Sequence, residues 1–364
     1  MLELIGGSIL AIGCEAPRAS RTASSPAADP VLAIEPLQTP WQTEDPFLFC
    51  AHHLDAYPPG NGVLGPIAPL RGRRIGQDFA GIDGWNMYHG RRVPGFPRHP
   101  HRGFETVTVV RSGLLDHSDS LGATARYGRG DVQWLTAGGG IQHAEMFPLV
   151  DPDDDNPLEL FQIWLNLPSA SKMVEAHFSM LWAPTIPQRV LRDEAGRSTV
   201  VRVVAGTWGE TGAPAPPPAS WASERDHHVG IWTLELDPGA QVELPPAAAG
   251  VRRAVYLHRG DAMRLGPRAV PASSYVRVRS DEPVLVQASA TGASLLVLQG
   301  RPIDEPIVRH GPFVMNTEAE IRAAYADYRH TQFGGWPWSG DEPVHEREEG
   351  RFARRPDGTI ERPG

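Results

Sequence analysis

Short apolar runs broken by Gly, Pro or Asp set the hydrophobic pattern from about residue 96 onward. TVTVVRSG (106–113), DVQWLTAG (131–138) and LELFQIWLNLP (158–168) are rich in β-branched and aromatic residues, and each reads as a strand. STVVRVVAG (198–206), HVGIWTLELDPGA (228–240), RAVYLHRG (253–260) and ASLLVLQG (293–300) repeat the rhythm, which predicts antiparallel strands closed into a sandwich or barrel. Sliding one half on the other so that VVRSG (109–113) meets YLHRG (256–260) aligns strand with strand across Gly113 and Gly260. The pattern therefore predicts an all-β chain of two tandem β-barrels. One helix is signalled, at 318–332: Thr317 and Glu320 form a capping box, Ile321, Tyr325 and Tyr328 share a face, and Gly334 can stop it.

The same pattern divides the chain. Residues 1–35, rich in Ala, Ser and Pro, read as a loose arm, 36–168 as the first barrel and 169–316 as the second. The helix occupies 317–334, and the charged, Pro-rich stretch 335–364 is expected to be a loose tail. APAPPPAS (213–220) reads as an extended, exposed loop within the second half.

Composition narrows the function classes. With 38 Gly and 36 Pro among 364 residues, long helices are excluded, and the absence of a period excludes a collagen-like polymer. A net charge of −9 argues against nucleic-acid binding, and no apolar run approaches a membrane span. Two cysteines, Cys14 and Cys50, cannot build a disulfide framework, which points to a reducing, cytoplasmic setting. The opening MLELIGGSILAIGC carries Glu3 where an export signal wants Lys or Arg, so an unstructured leader is expected there.

The chemistry concentrates in FPRHPHRGFETVTVV (96–110) and GIQHAEMF (140–147). His99 and His101 are two apart, as are His143 and Glu145, and on a strand such pairs project from one face. If both faces line a barrel, three neutral nitrogens and one carboxylate converge in a dry interior. That set suits a borderline divalent cation: iron(II), manganese, cobalt, nickel, copper or zinc. Glu105, four residues after His101, shares its face by parity and is either a fifth ligand or a carboxylate orienting an imidazole from behind. Phe104, Trp134, Met146 and Phe147 flank these positions and are candidate pocket walls.

HPHRGFETVT followed by DVQWLTAGGGIQHAEM resembles the signature of the pirin family of the cupin superfamily, and the similarity runs on through LFQIWLNLP, KMVEAHF, LDPGA and HGPFVMNTEAEI. It implies a bicupin, two cupin barrels side by side with a short C-terminal helix. One iron would sit in the N-terminal barrel, held by His99, His101, His143 and Glu145, with Glu105 set behind the ligands. In the gapless register His99 falls on Pro246, His101 on Ala248 and Glu105 on Arg252, so no metal site is expected in the second barrel. Against shorter pirins the chain carries an insertion at about 60–94, which could wall the barrel mouth. The resemblance implies quercetin 2,3-dioxygenase-type ring cleavage of a small aromatic enol with O2, in a monomer. Glu145 would act as both ligand and base. The alternative it implies is a non-enzymatic, iron- and redox-sensing regulator that binds a protein partner.

Overall fold

The computed structural model describes residues 29–364, so the expected leader and the arm up to residue 28 lie outside the described residues. Where the arm ends, β1 (Val31–Pro36) begins. There follow β2 (Phe47–Tyr57), β3 (Gly95–His101), β4 (Phe104–Ser112), β5 (Leu114–Asp119) and β6 (Thr124–Gly128). Next come β7 (Val132–Thr136), β8 (Ile141–Met146), β9 (Asn156–Asn166) and β10 (His177–Leu181). The second half adds β11 (Gln188–Arg192), β12 (Ser198–Ala205), β13 (Thr207–Trp208), β14 (Thr211–Gly212), β15 (Gly230–Leu236) and β16 (Gln241–Leu244). It continues with β17 (Arg252–Arg259), β18 (Ala262–Leu265), β19 (Arg268–Pro271), β20 (Ser274–Val278), β21 (Val284–Ala288) and β22 (Ala293–Gly300). A hairpin of β23 (Val308–His310) and β24 (Phe313–Met315) leads into the helix α1 (Glu318–Thr331), and β25 (Phe352–Arg354) and β26 (Ile360–Glu361) close the chain.

Two barrels with one topology result. The first has a large sheet ordered β10-β7-β4-β9-β2, facing a second sheet β26-β25-β6-β5-β8-β3. The other barrel repeats this as β1-β20-β17-β22-β15, extended by β12 and β11, over β16-β21-β18-β19. The duplication reaches the irregularities. The register of β4 on β9 shifts between Val110 and Ser112, and that of β17 on β22 between Leu257 and Arg259. Each pair of positions (110 and 257, 112 and 259) stands 147 residues apart, as do Gly113 and Gly260. A bulge at the same place in both copies keeps the same bend in both barrels.

Strand alternation builds three apolar layers. On β4, Val107 and Val109 face outward, with Trp134, Phe161 and Ile163, onto Ile231, Tyr256 and Leu298 of the other large sheet. This layer joins the barrels, and each large side chain buried there contributes roughly 1.5–3 kcal/mol. Val110 turns inward, with Leu135, Leu160 and Phe178, to fill the first barrel. Val242, Leu244, Met263, Val284, Val286 and their neighbours form the core of the second barrel. Because both faces of the large sheets are buried, their strands read as continuous apolar runs.

The helix follows its sequence signals. Thr317 Oγ1 accepts from the Glu320 amide at 3.2 Å and the Glu320 carboxylate accepts from the Thr317 amide at 2.8 Å, completing the capping box. Ile321 packs with Ala324 against Phe313 and Met315. The helix is closed by Gln332, whose φ of 51° takes the left-handed turn, two residues before the expected Gly334.

Several expected boundaries are displaced. Residues 31–36 are not loose: β1 pairs along β20 and completes the second barrel. β10 falls after residue 168 yet pairs with β7, so the first barrel reaches at least residue 181. The tail is not loose either. β25 pairs with β6, and the Arg126 guanidinium accepts no freedom there: it bonds both Asp116 oxygens at 2.7 Å and donates to the carbonyls of His345, Glu346 and Glu349. Composition suggested disorder, but a buried arginine with carbonyl-hungry donors recruits the charged segment as an ordered strap. The loop at 213–220 is only partly exposed, since Pro217 and Ser220 are buried and Ser220 bonds Glu105 of the first barrel.

Asp116 and Arg126 are both fully buried, so Asp116→Ala strands a charge beneath the tail. The expected loss is about 3–5 kcal/mol in urea unfolding, with early proteolysis of the segment after residue 340.

Candidate metal centre

Antiparallel pairing of β3 with β8 sets His99 directly opposite His143, with His101 opposite Ile141. Inward parity then brings three imidazoles together: each offers a ring nitrogen, and these lie within 4.8 Å of one another. Ring centroids are separated by 4.4 Å for His99 and His143, 4.9 Å for His101 and His143, and 4.8 Å for His99 and His101. His99 Nδ1 is 2.8 Å from the Pro97 carbonyl and His101 Nδ1 is 3.4 Å from that of Pro312, which leaves each Nε2 free to ligate. His143 is fully buried, and neither of its ring nitrogens has a partner. Orphaned buried nitrogens beside two more imidazoles are costly unless a cation fills the space between them. The donor set therefore fits a borderline divalent metal.

Glu145 stands next to this triangle. Its Oε2 is 3.8 Å from His143 Nε2, while Thr108 donates to Oε1 at 3.2 Å and Gln162 to Oε2 at 3.1 Å. Burial pushes the Glu145 carboxyl above the usual range, opposed by the nearby His117 and by those two hydrogen bonds. Burial lowers His99 to about 4 and drives His101 and His143 well below the ordinary histidine value, and neighbouring imidazoles reinforce the effect. All three rings are thus neutral at pH 7, the form that binds metal.

Glu105 is not part of the site. Parity counted from His101 holds only along an unbroken strand, and Gly103 interrupts this one with φ +86°. A Cβ there would lie 1.9 Å from the Val314 carbonyl oxygen, so only glycine makes this corner. The phase resets, and Glu105 joins Val107 and Val109 on the face between the barrels. There it accepts from Thr136 at 2.7 Å and from Ser220, in the proline-rich loop, at 2.5 Å. Burial pushes its pKa up to about 7 against those bonds.

The expected pocket walls are also redistributed by alternation. Trp134 faces the layer between the barrels. Met146 points out of the barrel, under Leu64 and Val93 of the insertion. Phe104 stands behind His101, ring to ring at 5.1 Å, and packs on Trp164 at 4.2 Å. The cavity of about 1580 Å³ that reaches His99, His101 and Glu145 is walled instead by Tyr88, Phe96, Phe147 and Trp164. Phe147, one of the flanking candidates, does line it.

Residues that the sequence reading passed over complete the surroundings. His117 lies opposite Glu145 on β5, its Nε2 3.1 Å from Asp119 and its ring 5.6 Å from His143. The DHSD spacing held the same i, i+2 signal as HPH. Trp164 and Gln162 share inward parity on LFQIWLN. The insertion forms part of the cavity wall through Gly62–Leu64, Phe79 and Tyr88, anchored by buried Arg73 between Asp78 (3.0 Å) and the Trp85 ring (3.3 Å). Residues 340–342 and 344–348 of the tail line the cavity too.

Residues 76–165 match the Pirin family and residues 231–334 the Pirin C-terminal cupin domain. Human pirin is 34% identical over 256 residues, 69% of this chain and 81% of its own length. The chain belongs to the pirin family. A Pseudomonas aeruginosa pirin relative, provisionally named a quercetin 2,3-dioxygenase, is 37% identical over 256 residues, covering 70% of this chain and 84% of its own. A crystal structure described as quercetin 2,3-dioxygenase from Acinetobacter baumannii superposes with a TM-score of 0.66 at 25% identity, over 84% of this chain and 98% of its own. Both cupin-type domains of the pirin fold are thus present. Among the described residues no helix is long and apolar enough to cross a membrane.

Glu105→Gln is expected to leave metal content unchanged. Wild type holds its proton at Glu105 to about pH 7, whereas the unfolded chain releases it near 4.5, so this group's contribution is present below pH 4.5 and lost on the way to pH 7. Relative to the variant, wild type should lose about 3 kcal/mol across that window, read by urea unfolding at several pH values.

Proposed function

We propose that the N-terminal barrel of this pirin is a metal-dependent dioxygenase site that cleaves a flavonol or a related aromatic enol, in the manner of quercetin 2,3-dioxygenase, with iron(II) as the metal. His99, His101 and His143 would hold the ion, with Glu145 as fourth ligand. The observation that carries the reading is the meeting of three neutral imidazoles and a carboxylate at an aromatic-walled cavity. The relatives named for this activity add support.

The ion, when bound, supplies Lewis-acid polarisation of the enolic oxygen and the redox chemistry that dioxygen needs. The protein does the rest. Tyr88, Phe96, Phe147 and Trp164 offer flat apolar surface for a polycyclic substrate, and the cavity exceeds the roughly 300–1,000 Å³ of an ordinary ligand pocket. Glu145 borders that cavity and accepts the proton of the substrate hydroxyl. Thr108 and Gln162 fix its two oxygens for that transfer. The insertion and the tail form part of the cavity wall. For a flavonol, both atoms of O2 enter the ring-opened product and one ring carbon leaves as carbon monoxide, so the atoms balance.

Oxygen uptake with a panel of flavonols on the iron-loaded protein tests this reading. Wild type should consume O2 and release CO, and His101→Ala should do neither. Glu145→Gln should keep its metal on the three imidazoles and lose about 10²–10⁴-fold in kcat. Iron-loaded wild type that is inert to every flavonol would contradict the enzyme and favour a metal-dependent binding protein.

A further inference from the structure

A second group of ligand-type side chains lies outside the first barrel's interior, where the two large sheets face each other. His52 stands on β2, Glu159 on β9 and His258 on β17, so two come from the first barrel and one from the second. His52 Nε2 is 3.1 Å from Glu159 Oε1, and His258 Nδ1 is 3.9 Å from the same oxygen. The three ligand atoms lie within 4.8 Å of one another. His258 Nδ1 is buried and has no hydrogen-bond partner, although it points into this group.

The geometry points to a second divalent-metal site here, a two-histidine, one-carboxylate set that ties the barrels together. Two imidazole nitrogens and one carboxylate oxygen suit a borderline cation such as zinc and leave coordination positions for water. His52 also lines the large cavity, which gives the ion a wet approach.

Arg111 is the competing cation. Its Nη1 donates to Glu159 Oε1 at 2.7 Å and approaches His258 Nε2 at 3.5 Å. Its Nη2 is held separately by Glu235. When Glu159 turns to a metal, Arg111 therefore keeps a carboxylate partner. Arg259, the other guanidinium near Glu159, is 60% exposed, donates to Ser294 at 3.0 Å and lies 3.8 Å from Glu235. The rings are already oriented: Trp41 lies 5.3 Å from His52 and 6.0 Å from His258. Because the ligands come from both barrels, binding would stabilise their contact.

The test adds Zn²⁺ alone to the chelator-treated full-length protein, removes the excess by gel filtration, and counts bound zinc by mass spectrometry alongside Tm. Wild type should hold two ions. His258→Ala and His52→Ala should each hold one, and the His99→Ala/His101→Ala double variant should keep the other together with a zinc-dependent rise in Tm. His52 lies on an edge strand with its side chain 13% exposed, so its variant reports even if His258→Ala fails to fold. One ion in wild type that the His52 variant retains, or two ions retained by the His52 variant, would overturn the proposal. Neither result depends on turnover of flavonols.

Discussion

Three uncharged imidazoles facing one another inside the first barrel are the constraint around which this chain is arranged. Burial depresses their basicity, so they cannot relieve the cost by protonation, and His143 finds no hydrogen-bond partner in the protein. Such a group of neutral ring nitrogens suits a shared cation. The second barrel shows the contrast, because the same fold there encloses Val242, Leu244, Val284 and Val286 and has no such demand. One architecture thus encloses a cluster of ligand-type side chains in one copy and plain packing in the other.

Distant parts of the chain converge on the two ligand strands. Arg102 and Gln142 alternate with the ligands and so face away from the interior. Arg102 meets the Gly139 carbonyl at 2.7 Å and pairs with Asp327 of α1. Gln142 donates to the carbonyls of Gln332 and Gly335 and accepts from Tyr328 at 3.0 Å. On the neighbouring strands Asp116 and Arg126 bind the tail, and Trp338 reaches the Asp119 carbonyl at 2.8 Å. The helix and tail therefore brace β3, β5, β6 and β8 from outside, while the insertion forms part of the cavity wall. Positioning the imidazoles within a few tenths of an ångström demands this kind of rigid backing.

The duplication and the clustering of His99, His101 and His143 beside Glu145 are legible because they rest on strict local periodicity. An offset of 147 residues matched Gly113 to Gly260, and the two bulges obey the same offset. HPH and HAE each placed their side chains by a count of two. What failed did so where the count was interrupted or where long-range partners decided. Gly103 reset the phase before Glu105, so a carboxylate expected near the imidazoles faces the other barrel. Trp134 and Met146 were near the ligands in sequence but on the opposite faces of their strands, a distinction that needs the sheet order. The tail reads as disordered by composition, and nothing local announces that Arg126 awaits its carbonyls. The clustering of His52, Glu159 and His258 spans three strands and two barrels, beyond any local pattern.

The central claim is that the three imidazoles of β3 and β8 grip a single ion. Anomalous diffraction at the absorption edge of the resident metal addresses it most directly. A peak is expected about 2.0–2.2 Å from a nitrogen of each of His99, His101 and His143. A metal-replete crystal without density between those rings, or with any of them turned away from the peak, would contradict it.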